Sequence, residues 1–101
     1  MARESAISDY ETVAKSQTGQ VLGGVGAQGD FIDRLVIVPE TTSPGAVALL
    51  DNTTSISIMV AGTTTIAPIT VELGMHSELG AWSITTGDNV HVIAVGKFTR
   101  V

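Results

Sequence analysis

The chain has 101 residues, no cysteine, 15% charged residues and a formal net charge of −5. This length fits one domain, and the lack of cysteine excludes a disulfide framework, a thiolate nucleophile and a cysteine-ligated zinc site. Between Leu35 and Gly96 there is no Lys or Arg, so the middle of the chain is not a nucleic-acid-binding face. An average soluble domain carries about 25% charged residues, and this hydroxyl-rich composition favours a surface that packs against copies of itself or a partner.

The first segment, Met1 to Ser16, has charges of both signs and no apolar run, which indicates that it is not a secretory signal. It is also the one segment with a helical pattern. Ser8 and Glu11 have the spacing of a capping box, and the apolar residues recur at helical intervals. The pattern is short, and an isolated helix of this length is marginally stable.

We therefore expect residues 1–18 to form an extended or weakly helical N-terminal arm, separate from a β-domain over residues 19–101. Three apolar side chains of the arm, Ile7, Tyr10 and Val13, are its candidate partner contacts. Ordering a free segment costs about 1–2 kcal/mol per residue in backbone entropy. The arm is thus expected to become ordered only where a neighbouring subunit or a partner supplies apolar contacts.

A glycine-rich segment follows a short predicted strand at Gln20–Leu22. Gly24, Gly26 and Gly29 match the G-x-G-x-x-G fingerprint of dinucleotide-binding folds, which requires a helix directly afterwards. Here the next segment is Phe31–Val38, which is β-branched and apolar and predicts a strand. The glycines are therefore interpreted as a plain loop.

The Phe31–Val38 strand is apolar on both sides near its end, which predicts a place in the middle of a sheet. Asp33 and Arg34 face opposite sides if the strand is regular. Pro39 ends the strand, and Pro44 with the following glycine predicts a turn.

Two further strands, Ala46–Leu50 and Ser55–Val60, are predicted around a hairpin turn at Asp51–Thr54. Apolar and polar residues alternate in the second of them. Ile56, Ile58 and Val60 form the apolar set and are expected to point inward.

Residues 52–71 contain no charged residue, which raises the question of whether they form a transmembrane helix. A spanning helix needs about 20 predominantly apolar residues, whereas the apolar residues here alternate with Thr and Ser. We expect no membrane span. The end of this run begins another strand, which Pro68 opens and Gly74 ends.

The strongest strand pattern lies in Gly80–Phe98, which predicts two strands around a tight turn at Thr86–Asn89. We expect this hairpin to form the centre of the domain. Trp82 is the only Trp and is expected in the core, with an exposed sugar-stacking platform as the alternative. The sequence thus predicts an all-β fold, a small jelly-roll-like antiparallel β-sandwich of about seven strands.

Few residues are candidates for catalysis or metal binding. His76 has Glu78 two residues later, and His91 stands alone, which falls short of the three or four ligands of a zinc site. No spacing matches a catalytic triad or an acid–base pair of carboxylates. We expect no enzymatic activity, no cofactor and no metal.

Several segments carry a resemblance to a known class of proteins: Gly29–Pro39, Thr41–Ala46, Gly80–Trp82, Thr85–Gly87 and Val92–Phe98. Over about Gln20–Phe98 the chain resembles small virion proteins of tailed bacteriophages and prophages, in the style of the head-decoration, or cement, class. The resemblance implies a β-sandwich or jelly-roll domain, commonly a homotrimer, that sits on the capsid lattice and holds capsomers together. It supplies no active-site residues.

The sequence-based hypothesis is a non-enzymatic virion structural protein, made in the cytoplasm of a bacterial host and placed on the phage head. Its implied partners are the major capsid protein and copies of itself, with no nucleic acid and no membrane. The alternative is a tail or tail-tip component that binds a receptor or glycan, and a soluble β-domain of another role is the third possibility. A basic, aromatic-rich loop would favour the tail alternative, and the sequence lacks one.

Overall fold

A computed structural model of the chain describes residues 9–62 and 66–100. This part of the chain forms eight strands: β1 (Asp9–Val13), β2 (Gln20–Val21), β3 (Phe31–Pro39), β4 (Val47–Asp51), β5 (Thr54–Met59), β6 (Ile69–His76), β7 (Trp82–Thr86) and β8 (Val90–Lys97). Sheet A has the order β1-β8-β3-β6, and sheet B has the order β2-β7-β4-β5. All pairings are antiparallel, which confirms the predicted β-sandwich with one strand more than expected.

The core lies between the two sheets and draws side chains from both. Trp82 is its largest member and is 2% exposed, with its indole Nε1 donating a hydrogen bond to the carbonyl oxygen of Asp30 at 2.8 Å. The prediction of a core position is confirmed, and the ring is not available to stack on a sugar. The buried apolar residues are Val13, Leu22, Ile32, Leu35, Ile37, Val47, Leu49, Trp82, Ile84, Val90, Val92, Ala94 and Phe98.

The two strands of the predicted Gly80–Phe98 hairpin exist, but they do not pair with each other. β7 pairs with β2 and β4 in sheet B, whereas β8 pairs with β1 and β3 in sheet A. The turn between them carries the chain from one sheet to the other, so the hairpin prediction is wrong. Alternation and turn residues predict strands and a reversal, but they do not specify whether the strands pair or pack face to face.

This crossing rests on a close approach of two backbones. A Cβ atom added to Gly45 would lie 2.6 Å from the Cα of Gly87, and the reverse distance is the same. The Gly45 amide donates to the Asp88 carbonyl oxygen at 2.7 Å, and the Gly87 amide donates to the Ala46 carbonyl oxygen at 2.9 Å. A side chain at either glycine would displace one turn from the other.

The part of the predicted arm that the structure describes is a strand of the sandwich. β1 pairs with β8, with Tyr10 opposite Val95 and Val13 opposite Val92. The helical prediction is therefore wrong for Asp9–Val13. The segment also alternates with period two, and pairing with β8 satisfies its backbone and buries Val13 completely. Residues 1–8 lie outside the described residues.

β3 is an inner strand of sheet A, as its apolar sequence predicts. Its register shifts between Ile32 and Arg34 against both neighbours, which makes Asp33 the extra residue of a β-bulge. The carboxylate of Asp33 contacts the guanidinium of Arg34. These two side chains were expected to face opposite sides only in a regular strand, and the bulge means that this condition is not met.

The β4–β5 hairpin has its turn where it was predicted, with Asn52 at a positive φ of 59°. The inward orientation expected for β5 is confirmed by the register, because Ile56 pairs with the buried Leu49 and Ile58 packs against the core, but the expected apolar set is only partly covered. Ile56 is 36% exposed and Val60 is 73% exposed, because β5 is an edge strand that extends beyond the core. Gly74, expected to end the next strand, lies inside β6.

Candidate functional site

The two histidines are held at opposite ends of one sheet face. His76 pairs across the strands with Phe31, and its Nδ1 lies 3.0 Å from the Gly29 carbonyl oxygen. His91 pairs with Val38 at the other end of β3, and its Nδ1 lies 2.8 Å from Glu40 Oε2. Among residues 9–62 and 66–100, no group of three His, Asp or Glu side chains could hold a metal ion.

The glycine fingerprint leads into a strand and not into a helix. Gly24, Gly26 and Gly29 all have positive φ angles, of 83°, 67° and 94°, in the segment between β2 and β3. The Asp30 carboxylate accepts bonds from the amides of Ala27 and Thr99 at 3.0 and 2.9 Å. Asp30 thereby ties this loop to the end of the described chain, and its role is structural.

An open depression lies where the turns around the Gly45–Gly87 approach meet. Within the described part of the chain, its lining includes no aromatic ring. Asp88 is its one charged residue, and Asp88 Oδ1 accepts a 2.5 Å bond from Ser16 Oγ. The depression therefore offers hydroxyl, amide and carboxylate groups in an open setting, without the aromatic stacking surface common in small-molecule sites. Its lining residues are Thr42, Ser43, Pro44, Gly45, Ala61, Gly62, Asp88 and Asn89.

A more distinctive surface lies along one side of the sandwich. We call residues 54–62 and 66–71 the uncharged edge; they contain β5, the described residues that follow it and the first residues of β6, and none of them is charged. β5 and β6 are outer strands of sheets B and A. Val60 is 73% exposed, Ile66 60% and Ile69 39%.

The edge of sheet B on this side is chemically unprotected. An outer strand presents unpaired backbone N–H and C=O groups, and proteins commonly guard such edges with charged residues or proline. Thr54–Met59 contains neither. Among the described residues no strand pairs with the outer side of β5, so the uncharged edge combines an open sheet edge with exposed aliphatic side chains, which suits contact with another protein surface.

The other side of the sandwich is closed by the chain itself. The Glu11 carboxylate of β1 accepts bonds from Gln20 Nε2 at 2.8 Å and from the Gly23 amide at 2.7 Å. These bonds join the outer strands of both sheets, and we call this the closed side. The difference between the two sides makes the uncharged edge the better candidate for binding.

The three predicted partner contacts have different outcomes. Tyr10 is 70% exposed on β1 and is accessible to a partner. Val13 is completely buried in the core of its own chain, so its predicted contact with a partner conflicts with its burial. Ile7 lies outside the described residues. The sequence shows the uncharged edge as a run without charged residues. Its exposure was not predicted, because the apolar side chains of β5 were expected to be covered by the core.

Comparison with known proteins finds no matching family model, no matching curated protein and no matching solved structure. Within residues 9–62 and 66–100, no helix has the length and hydrophobicity needed to cross a bilayer.

Proposed function

We propose that this chain is a non-enzymatic structural protein of a tailed-phage virion, and that it decorates the capsid. It binds the major capsid protein at junctions between capsomers and stabilises the head. The observation that carries the proposal is the uncharged edge, where exposed aliphatic residues adjoin an unguarded outer strand. The sequence resemblance to the head-decoration class supplies the identity of the partner.

The uncharged edge suits this role for a physical reason. Burying a charged group without a partner is costly, and residues 54–71 bring no charge to desolvate. The free backbone groups of β5 can pair with an extended capsid segment, while Val60 and Ile66 bury apolar area. A protein that binds the assembled shell and not its separated subunits stabilises the shell by mass action.

Self-association as a homotrimer is the second part of the proposal. It is supported by the absence of Lys and Arg between Leu35 and Gly96, which leaves a large part of the surface apolar or hydroxyl-bearing. Homo-oligomers close with point-group symmetry, and charged residues are depleted at the centres of their interfaces.

The tail alternative receives less support from the described residues. A glycan-binding module commonly offers an exposed aromatic platform, and Trp82 is buried. The open depression beside Gly45 has hydroxyl groups and one carboxylate, without an aromatic ring in its described lining. Tyr10 is exposed on β1 opposite Val95, but it is a single ring, and no other aromatic residue is among the exposed large apolar residues of the described chain.

A matched pair of substitutions tests the capsid role. Val60→Lys places an ammonium on the uncharged edge, whereas Val25→Lys places one on the glycine loop, where Val25 is 56% exposed. We expect Val60→Lys to weaken binding to purified phage heads at least about tenfold, because the ammonium would be buried unpaired. Val25→Lys should bind as the unmodified protein does.

Co-sedimentation with heads lacking this protein gives the affinities, and cryo-electron microscopy of decorated heads gives the position. Equal binding of the two variants would remove the uncharged edge from the contact. Particles that carry the chain on the tail and not on the head would overturn the decoration proposal itself.

A further inference from the structure

The two described sheets have four outer strands, and three of them are poorly suited to pairing with a further strand. β1 carries Asp9 and Glu11, and β2 has only two residues. β6 carries Glu72 and contains Gly74, whose φ is positive at 60°, beside the register shift against β3. Charges and bulges of this kind oppose edge-to-edge pairing. β5 has no charged residue, which leaves it as the outer strand open to a strand from another molecule.

The direction of the backbone groups in sheet B follows from two bonds made by β7. The Trp82 carbonyl oxygen accepts a bond from the Leu22 amide at 2.9 Å, and the Thr86 amide donates to the Gln17 carbonyl oxygen at 2.8 Å. Both bonds lie on the side of β7 that faces β2 and the residues before it. Trp82 and Thr86 therefore direct their backbone groups away from β4, on the other side of β7.

The strand register carries this alternation to β5. Asp51 lies opposite Trp82 without exchanging backbone bonds with it, so the backbone groups of Asp51 point to β5, where Thr54 is its partner. The next residue, Ser55, then directs its N–H and C=O away from β4, and Ser57 does the same. In the part of the chain that the structure describes, no strand lies on that side of β5.

The residue between these two serines points into the sandwich. Ile56 pairs with the fully buried Leu49, and cross-strand partners share a face, yet Ile56 is 36% exposed. On β6, Ile69 pairs with the fully buried Ile37 and is 39% exposed. Inward-facing side chains with more than a third of their surface in water mean that the core is uncovered on this side of the sandwich.

These positions define what an added strand has to contain. Guest residues opposite Ser55 and Ser57 exchange backbone bonds with them and point outward, whereas the guest residue opposite Ile56 points inward and covers it. An aliphatic side chain fits that inward position. The register shift between Val47 and Ala48 ends the regular pairing of β5 after Ser57. The guest is therefore an extended segment of about four residues, roughly 13 Å long.

The start of the same chain does not fit as this segment within one molecule. The bonds of the Glu11 carboxylate place β1 beside β2, and β5 lies three strands away across sheet B. Three strand spacings amount to about 14 Å, and each residue spans at most about 3.6 Å. Only residues 1–5 are far enough from Asp9 to cover that distance. A four-residue guest taken from them contains Arg3 and Glu4, and one of these adjacent charges would point inward.

We infer that β5 binds an extended segment of the partner protein, with an aliphatic residue over Ile56, as a fifth strand of sheet B. The inference rests on the proposed function, which makes the major capsid protein the partner, and it adds the form and chemistry of the segment that is bound. Backbone bonds to Ser55 and Ser57 hold the segment, and the inward aliphatic residue selects it. The added strand also covers the core where the chain leaves it exposed.

A proline at an outward amide tests this inference without removing a backbone bond of the fold. Ser55→Pro deletes the outward N–H, and proline is tolerated on an edge strand where the N–H faces solvent. Ser55→Ala keeps the N–H and is the matched control. We expect Ser55→Pro to bind purified heads that lack this protein at least about tenfold more weakly than Ser55→Ala in co-sedimentation. Urea unfolding followed by circular dichroism should give similar midpoints for the two variants.

Hydrogen exchange of the unmodified protein tests the same contact without a substitution. We expect exchange of the Ser55 and Ser57 amides to slow at least about tenfold when the protein is bound to heads, because both amides become donors to the guest strand. The Val25 amide in the glycine loop should exchange at the same rate in the free and bound protein. Mass spectrometry with residue-level fragmentation measures these rates.

The outcomes separate the inference from the proposed function. If heads bind Ser55→Pro and Ser55→Ala equally and the two serine amides exchange at unchanged rates, strand addition is overturned while capsid decoration stands. If the unmodified protein does not bind heads, both are overturned. A Ser55→Pro variant that loses self-association and keeps its affinity for heads would also overturn the inference, because β5 would then pair with a second copy of this chain.

Discussion

The two sides of the sandwich solve the problem of an open sheet edge in different ways. On the closed side, Glu11 of β1 bonds to Gln20 and Gly23, and Val13 is fully buried. On the uncharged edge, Ile56 and Ile69 keep 36% and 39% of their surface exposed. The chain thus seals one side with its own carboxylate and core, whereas the other side leaves aliphatic surface exposed.

The largest effect is expected in the core that both sides share. Trp82→Ala removes the indole between the sheets and its bond to the Asp30 carbonyl oxygen. We expect the free energy of unfolding to fall by about 3–5 kcal/mol. Urea unfolding followed by circular dichroism measures the change, and a loss below about 1 kcal/mol would contradict a core common to the two sides.

A smaller effect should separate the two sides directly. Val13→Ala deletes two methyl groups in the core, whereas Ile56→Ala shortens a residue that is already partly in water. We expect a loss of about 2 kcal/mol for Val13→Ala and less than about 1 kcal/mol for Ile56→Ala. Similar losses of unfolding free energy for the two variants, measured with urea, would show that the closed side is no better packed than the uncharged edge. If Val13→Ala alone lost negligible unfolding free energy, Asp9–Val13 would be a free arm and not a strand of the sandwich.

The smallest effect concerns the bonds that seal the closed side. The Glu11 side chain is 18% exposed, accepts two hydrogen bonds and lies 3.7 Å from Arg100 Nη1. We expect Glu11→Ala to cost about 1–2 kcal/mol, because the Gly23 amide loses its acceptor. Glu78→Ala removes a carboxylate of an exposed residue and should change stability by less than about 0.5 kcal/mol. Equal thermal melting of the two variants would show that these bonds do not stabilise the closed side.

Much of the fold was predictable because it depends on local patterns. Alternating residues marked β4 to β8, and the Asp51–Thr54 segment marked a true hairpin turn. The apolar character of β3 on both sides correctly indicated an inner strand. The apolar residues of β3 do not all lie in the core, because an inner strand of a two-layer sandwich still has one outward face, and Val36 and Val38 lie on that face together with Arg34.

The remaining features depend on partners that are distant in sequence. β1 follows both a helical and a strand pattern, and only pairing with β8 decides between them. The turn before β8 can join paired strands or cross between sheets, and the contact of Gly87 with Gly45 selects the crossing. The exposure of Val60 likewise depends on where sheet B ends, and residue alternation carries no information on that point.

The approach of Gly45 and Gly87 has an evolutionary consequence. Each glycine occupies the space that a Cβ atom on the other would need. A larger residue at one position therefore cannot be compensated by a substitution at the other, which is already the smallest residue. Chains that descend from a common ancestor and keep this crossing should retain glycine at both positions, however far their strands and surfaces diverge. A pair of touching glycines with the four strands β4 to β7 between them in the sequence is thus a spatial signature by which remote homologues can be recognised.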